Sequence, residues 1–241
     1  KLIEIHTTLD DAVWCRANTI IAIGSDESIA AIHQKVKPHQ HFIAHSHKVS
    51  IAVVYDDYAN AARLAARDVS LFNQRGCLST HAIYTSGNSV YFAELLAIEM
   101  ENFCLNNPPN PISASEAGAI RNLRETTRFC ASNDPSVGLW ESKDTLNWTV
   151  IHQTDPTLQL SCLNRCVYVK PLPPTLDNEI LGSESAHLST IAIHPFDQAK
   201  ATSLENLPAH RICPLGKSQE PSLYWHHDGL APIASLVKWR D

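Results

Sequence analysis

The feature that most constrains this chain is a strand-then-helix unit that recurs along it. Residues 49–55 form an apolar, largely β-branched run without a charged side chain; Asp56-Asp57 follow, and then an alanine-rich stretch over residues 58–73. A strand with no polar face has to be buried on both sides, which is the situation of a parallel sheet covered by helices. The same unit is legible earlier. Residues 19–23 are a short apolar run closed by Gly24, after a stretch from residue 11 that reads as a helix end or loop. Ser25 can cap the next helix, and Asp26 and Glu27 fall in its first turn, where the helix dipole favours carboxylates. That helix is predicted to run to about residue 35. Further strands are predicted at residues 42–44, 81–85, 146–152, 166–169 and 187–193, and helices over 90–104 and 115–131. Pro171-Leu172-Pro173-Pro174 breaks the chain, and the last 45 residues read as short alternating elements. Alternation of this kind specifies an α/β fold.

Charge and cysteine usage narrow the function classes. The formal net charge is −6, so a nucleic-acid groove, which needs a surplus of Lys and Arg, is not expected. No apolar run approaches the roughly 20 residues needed to span a bilayer. The opening Lys1-Leu2-Ile3-Glu4-Ile5 lacks the apolar core of a signal peptide, so a cytoplasmic location is expected. The seven cysteines are scattered, with Cys162 and Cys166 the closest, which suits reduced thiols better than a disulfide framework. The sequence opens on Lys1 and its single methionine is Met100, so the expectation is a chain trimmed or cut from a longer one. Eight glycines and no GxGxxG or Walker pattern mean that a dinucleotide would be held without that fingerprint or mostly by residues elsewhere.

The sharpest local candidate is Phe72-Asn73-Gln74-Arg75-Gly76-Cys77-Leu78-Ser79. A cysteine after a helix and behind a glycine can present its thiol and its own N–H to a substrate carbonyl. Arg75 or His81 could favour the thiolate, the reactive form. Spacing alone favours the plainer alternative, a buried structural cysteine, because free cysteine is among the most buried residue types. The thirteen histidines include the alternating His39, His41, His45 and His47 and the turn-like His226-His227-Asp228-Gly229, but no ligand spacing completes a zinc pattern, and no metal is assigned.

Several segments, taken in order, resemble the aldehyde dehydrogenase superfamily. Ile23-Gly24-Ser25-Asp26-Glu27 resembles the Thr-Gly-Ser-x-Glu stretch that opens a cofactor-facing helix there. Residues 46–54, with Lys48, resemble the Gly-Gly-Lys-Ser-Pro segment and its strand, and the likeness continues through the alanine-rich helix into Cys77. Asn178-Glu179-Ile180-Leu181-Gly182 resembles Glu-Glu-Ile-Phe-Gly, with Leu181 departing from the family's phenylalanine. A narrower resemblance, over nearly the whole chain, is to the LuxC family of fatty acyl-CoA reductases. It rests on the Gly24-Ser25-Asp26-Glu27 turn, Arg75-Gly76-Cys77-Leu78-Ser79, Ser161-Cys162-Leu163-Asn164-Arg165, His226-His227-Asp228-Gly229 and Ser235-Leu236-Val237-Lys238-Trp239.

The resemblance implies an aldehyde-dehydrogenase-like, three-layer αβα catalytic domain over residues 46–241, preceded over residues 1–45 by the end of an incomplete dinucleotide-binding domain. It implies that Cys77 takes the acyl group of a long-chain acyl thioester and that hydride from NADPH, or NADH, releases a fatty aldehyde. Gly24, Ser25 and Glu179 become the expected cofactor contacts: the turn under a pyrophosphate, the carboxylate on a ribose hydroxyl. Ala44 falls where hydrolytic relatives carry a glutamate base, which favours thioester chemistry over release of free acid. An acyl-protein synthetase partner and a homo-oligomer are also expected. The reading left open beside it is a cysteine acyltransferase or thioester hydrolase, using Cys77 with His45 or His81 and no redox cofactor.

Overall fold

The computed structural model describes residues 3, 5, 7, 8, 10–231 and 234–237. Lys1, Leu2 and Glu4 of the opening segment and Lys238 and Trp239 of the closing one lie outside the described residues. The chain divides into two compact units, Lys1–His47 with Tyr224–Asp241, and Lys48–Leu223. The segment from Tyr224 groups with the first unit, where Asp228 meets His45.

In the first unit, α1 (Asp11–Arg16) is capped by Asp10, whose side chain accepts from the Ala12 N–H at 2.8 Å. It leads into β1 (Thr19–Ile23), α2 (Asp26–His33) and β2 (His41–His45). β1 and β2 pair in parallel, from Thr19 opposite His41 to Ile23 opposite His45. Ile20, Ala22 and Ile43 are buried. Of the alternating histidines, His41 and His45 lie in β2, while His39 and His47 fall outside the strand. Gln40, which the sequence did not single out, ties this unit together. Its amide donates to the carbonyls of Trp14 and Ala17 at 2.7 and 2.9 Å, and its oxygen accepts from the Lys37 N–H at 2.9 Å.

The second unit is a seven-stranded sheet. Its elements run β3 (Val49–Val54), α3 (Tyr58–Ser70), β4 (Thr80–Thr85), α4 (Ser89–Asn106), α5 (Ala114–Asn133), β5 (Gly138–Glu141), β6 (Thr149–His152), β7 (Cys166–Pro171), α6 (Asn178–Leu181), β8 (Leu188–His194), α7 (Gln198–Thr202) and β9 (Arg211–Pro214). The strand order is β5-β6-β7-β4-β3-β8-β9, parallel except for β5 at one edge. Alternate residues of the central strands feed two separate cores, because successive side chains of a strand point to opposite faces. Ala52, Val54, Ile83, Val167 and Ala192 pack with Ala62, Ala66, Phe92 and Leu96 of α3 and α4. Ile51, Val53, Tyr84, Tyr168 and Ile191 pack on the other face with Leu158, Leu176, Leu181 and Leu204. The result is three layers, αβα, as expected.

Two departures from the sequence reading matter for the site. The helix predicted to residue 73 ends at Ser70, and a 3-10 turn, Leu71–Gln74, follows. β5 was not anticipated; a four-residue antiparallel edge strand gives almost no periodic signal.

Candidate active site

Cys77 sits at the amino edge of the sheet, in the turn that leads into β4. Two neighbours fix its backbone. The Ser50 hydroxyl, at the start of β3, donates to the Cys77 carbonyl at 2.8 Å, and the Ser79 N–H donates to the Gly76 carbonyl at 2.9 Å. The residue itself is half-buried rather than enclosed. Gly76 takes no left-handed conformation, and a methyl group there would stand 3.7 Å from Gln219 and Ser79, an ordinary contact. The glycine is therefore not demanded by packing within the chain.

What shapes this turn is a pair of left-handed runs. Phe72, Asn73 and Gln74 have φ of 54, 52 and 60°, and Leu163, Asn164 and Arg165 have 62, 54 and 64°. Three consecutive non-glycine residues in this region are strained, and they persist because each run holds the other. The Gln74 amide donates to the Thr80 and Cys166 carbonyls at 2.7 and 2.6 Å, and its oxygen accepts from the Cys166 N–H at 2.9 Å. The Asn164 N–H donates to the Asn73 carbonyl at 3.1 Å, and Arg165 donates to the Asn73 side chain at 3.2 Å. Arg75 leaves the turn outward to Glu116 at 2.8 Å. The Arg75–Ser79 and Ser161–Arg165 motifs, far apart in sequence, are thus one structure. A cavity of about 470 Å³ opens beside it, lined by Asn73, Asn164, Arg121 and Leu146; Cys77 is not among its lining residues.

A second support reaches the turn from the chain's later part. Asp68, buried at the end of α3, accepts on Oδ2 from the Gly216 N–H and the Ser218 hydroxyl, both at 2.7 Å. The next residue, Gln219, donates to the Ser79 hydroxyl at 2.8 Å. Burial pushes the Asp68 carboxyl above its usual range, against the pull of these donors.

Cys162 is the thiol the sequence passed over. A hydrogen bond from the Cys166 thiol lowers its pKa, and the nearby Arg124 guanidinium acts in the same direction; Cys166, buried against it, is raised. His81 is buried within β4, and its Nδ1 lies 3.1 Å from the Ser161 hydroxyl.

The expected cofactor contacts lie in different places. Gly24 and Ser25 belong to the first unit and Glu179 to the second. Ser25 caps α2, accepting from the Ser28 N–H at 3.3 Å, and the Gly24 N–H donates to the His45 carbonyl at 3.2 Å. Glu27 is held below its usual pKa, by its own backbone N–H and then by the Ser25 hydroxyl. Glu179 is exposed in the first turn of α6, which Asp177 caps, while Leu181 is buried in the core. Ala44 is exposed on β2.

Comparison with known proteins agrees with this architecture. The family model described as LuxC, acyl-CoA reductase, matches residues 4–239. A long-chain acyl-protein thioester reductase of Photorhabdus laumondii subsp. laumondii is 24% identical over 237 residues, covering 97% of this chain and 48% of that protein. The protein of the same name from Aliivibrio fischeri is 24% identical over 238 residues, covering 96% and 48%. The chain spans about half the length of the curated relatives it matches. Among solved structures, gamma-glutamyl-gamma-aminobutyraldehyde dehydrogenase from Burkholderia cenocepacia superposes with a TM-score of 0.67 at 13% identity, over 87% of this chain and 46% of that one. Methylmalonate-semialdehyde dehydrogenase from Oceanimonas doudoroffii gives 0.66 at 11%, over 90% and 49%. The fold is that of an aldehyde dehydrogenase catalytic domain. Among the described residues, no helix is long and apolar enough to cross a membrane.

Proposed function

The chain belongs to the LuxC acyl-CoA reductase family, and from that premise we propose that it carries the acyl-transfer centre of a long-chain acyl thioester reductase, with Cys77 as the acylated residue. The observation that supports this is the position of Cys77. It lies half-buried in a turn whose backbone is pinned from three directions, by Ser50, by the Gln74–Cys166 clamp and by Gln219 on Ser79. A nucleophile held on a fixed backbone approaches a carbonyl with little orientational entropy left to lose.

In this reading the Cys77 thiolate adds to the thioester carbonyl, the donor's thiolate leaves, and a new thioester forms on Cys77. A bound nicotinamide, NADPH or NADH, supplies the hydride that releases the aldehyde and regenerates the thiolate. Gly24, Ser25 and Glu179 are its proposed contacts in this chain. The donor is an acyl-CoA or an acyl-protein; the relatives' name, acyl-protein thioester reductase, supports the second, and an acyl-protein synthetase is the proposed partner. Ala44 offers no carboxylate base, so water is a poor competitor for the acyl group.

The rival bearer to test is Cys162, a half-buried free thiol next to the left-handed run that clamps the Cys77 turn. Incubating the protein with a long-chain acyl-CoA and mapping the thioester by mass spectrometry separates the two. The modification is expected on Cys77, lost in Cys77→Ser and retained in Cys162→Ser. Acylation that persists at wild-type extent in Cys77→Ser would overturn the assignment.

A further inference from the structure

The first unit is assembled from two stretches of chain, and one cluster of side chains joins them. We propose that His45, His227 and Asp228 form a site for one divalent transition-metal ion of the zinc type, which pins the segment after Tyr224 to the end of β2. His45 is the last residue of β2. Asp228 and Gly229 are the centre of a tight turn, with φ of 53 and 77°, and His227 bridges antiparallel to Leu230 across it. Two left-handed central residues are what a two-residue primed turn requires, and Asp tolerates that conformation better than most side chains. The turn brings the three groups together. His45 Nδ1 is 2.6 Å from Asp228 Oδ2, His227 Nε2 is 3.8 Å from the same oxygen, and the three ligand atoms all lie within 4.8 Å of one another.

A simple ion pair accounts for only part of this arrangement. One carboxylate oxygen faces two imidazole nitrogens, at 2.6 and 3.8 Å. The other oxygen, Asp228 Oδ1, is buried with no hydrogen-bond partner. The His45 and His227 rings stack with centroids 4.1 Å apart and planes 10° from parallel, which brings both imidazoles to one side of the carboxylate. A dication accounts for the buried, unpartnered carboxylate oxygen and for the convergence of the three donors. It binds neutral imidazoles, neutralises the carboxylate, and displaces to solvent the proton between His45 and Asp228.

The donor set fixes the class of ion. Two imidazole nitrogens and one carboxylate suit zinc, cobalt or nickel, whereas magnesium and calcium prefer oxygen throughout. Zinc bonds of about 2.0–2.2 Å place neighbouring ligands roughly 3.3–3.5 Å apart in a tetrahedron. The separations of 2.6 and 3.8 Å lie on either side of that range, and an ion held in both ring planes requires the two imidazoles to turn out of their stack toward it. A fourth position remains for water. His45 and Asp228 are 183 residues apart, so the ion acts as a cross-link over a long loop, where closing the chain costs the most entropy. No local spacing could have announced this site, because its ligands come from opposite ends of the chain.

The test is a cobalt titration of the 241-residue protein after removal of metal with a chelator. One Co(II) per chain is expected to bind with a dissociation constant of about 10⁻⁶ M or tighter, to give the visible absorption of a tetrahedral site, and to be displaced by zinc. His45→Gln and Asp228→Asn should each weaken binding by about 100-fold or more, while His39→Gln, an exposed histidine outside the cluster, should not. Asp228→Asn keeps the size of the side chain and an acceptor for His45, so it carries the test if His45→Gln fails to fold by circular dichroism. Binding no tighter than about 10⁻³ M, or binding undiminished in Asp228→Asn, would overturn the site.

Discussion

At the scale of single residues, Asp68 shows how a buried carboxyl can brace the turn that carries Cys77. Its Oδ2 gathers donors from Gly216 and Ser218, yet Oδ1 is buried without a partner, and burial is the larger influence on its ionisation. The folded protein therefore holds the Asp68 proton more tightly than the unfolded chain does. Such a group contributes its full stability below the unfolded value of 3.8 and loses it as pH rises through the higher folded value. Asp68→Asn removes this titration. Within that window the advantage of wild type over Asp68→Asn should fall with rising pH, by at most about 1.4 kcal/mol per pH unit, and then level off. Urea unfolding of both proteins across the acidic range measures it. A constant difference at every pH would mean that Asp68 titrates as an ordinary surface carboxyl.

At the scale of elements, the turn before Cys77 depends on Gln74 more than on any local propensity. Gln74→Ala takes the buried amide donor away from the Thr80 and Cys166 carbonyls and leaves the Cys166 N–H with its longer bond to Leu163 alone, while removing little apolar surface. The expected cost is about 2–4 kcal/mol, large for a polar side chain, because unsatisfied buried groups bear the full desolvation penalty. Chemical denaturation checks it, and a loss below about 0.5 kcal/mol would show that the left-handed run holds itself. The same turn explains where sequence reading succeeded and stopped. β3 and β4 were legible because a strand buried on both faces writes an unbroken apolar run, and α2 because Ser25 caps it visibly. The end of α3 was not. Nothing in residues 71–74 forbids another helical turn; what stops it are bonds to Asn164 and Cys166, some ninety positions later in the chain. The proposed Cys77 centre was likewise suggested only by family resemblance, since Ser50, Cys166 and Gln219 reach its turn from distant positions. His45, His227 and Asp228 escaped for the same reason: ligand spacing is a local signal, and their convergence is tertiary.

At the scale of the whole molecule, the order of the sheet places the turn that carries Cys77 where the scaffold is stiffest. β4, which Cys77 precedes, lies between β7 and β3 near the middle of seven strands, with packed cores on both faces. Opening that region would expose both cores, so it should be among the last to yield to local unfolding. The junction after Leu223 is of the opposite kind. Residues 221–226 form neither helix nor strand, and Leu223 and Tyr224 are 88% and 84% exposed. Proteases need a stretch of chain that can be drawn into an extended conformation, and large apolar residues on an unstructured, exposed segment meet that need for chymotrypsin. Brief digestion of the native protein should therefore cut first after Leu223 or Tyr224. It should spare Phe92 and Tyr84, which present the same chemistry but are fully buried. Intact mass measurement of the earliest products reads the result directly, and first cuts within α4 or β4 would show that the sheet is not the rigid part. The proposed ion adds a second reading to the same experiment. The cut falls just ahead of His227 and Asp228, so a zinc-bound cluster should slow it or keep the released C-terminal peptide attached, and Asp228→Asn should abolish that protection without altering where the protease cuts.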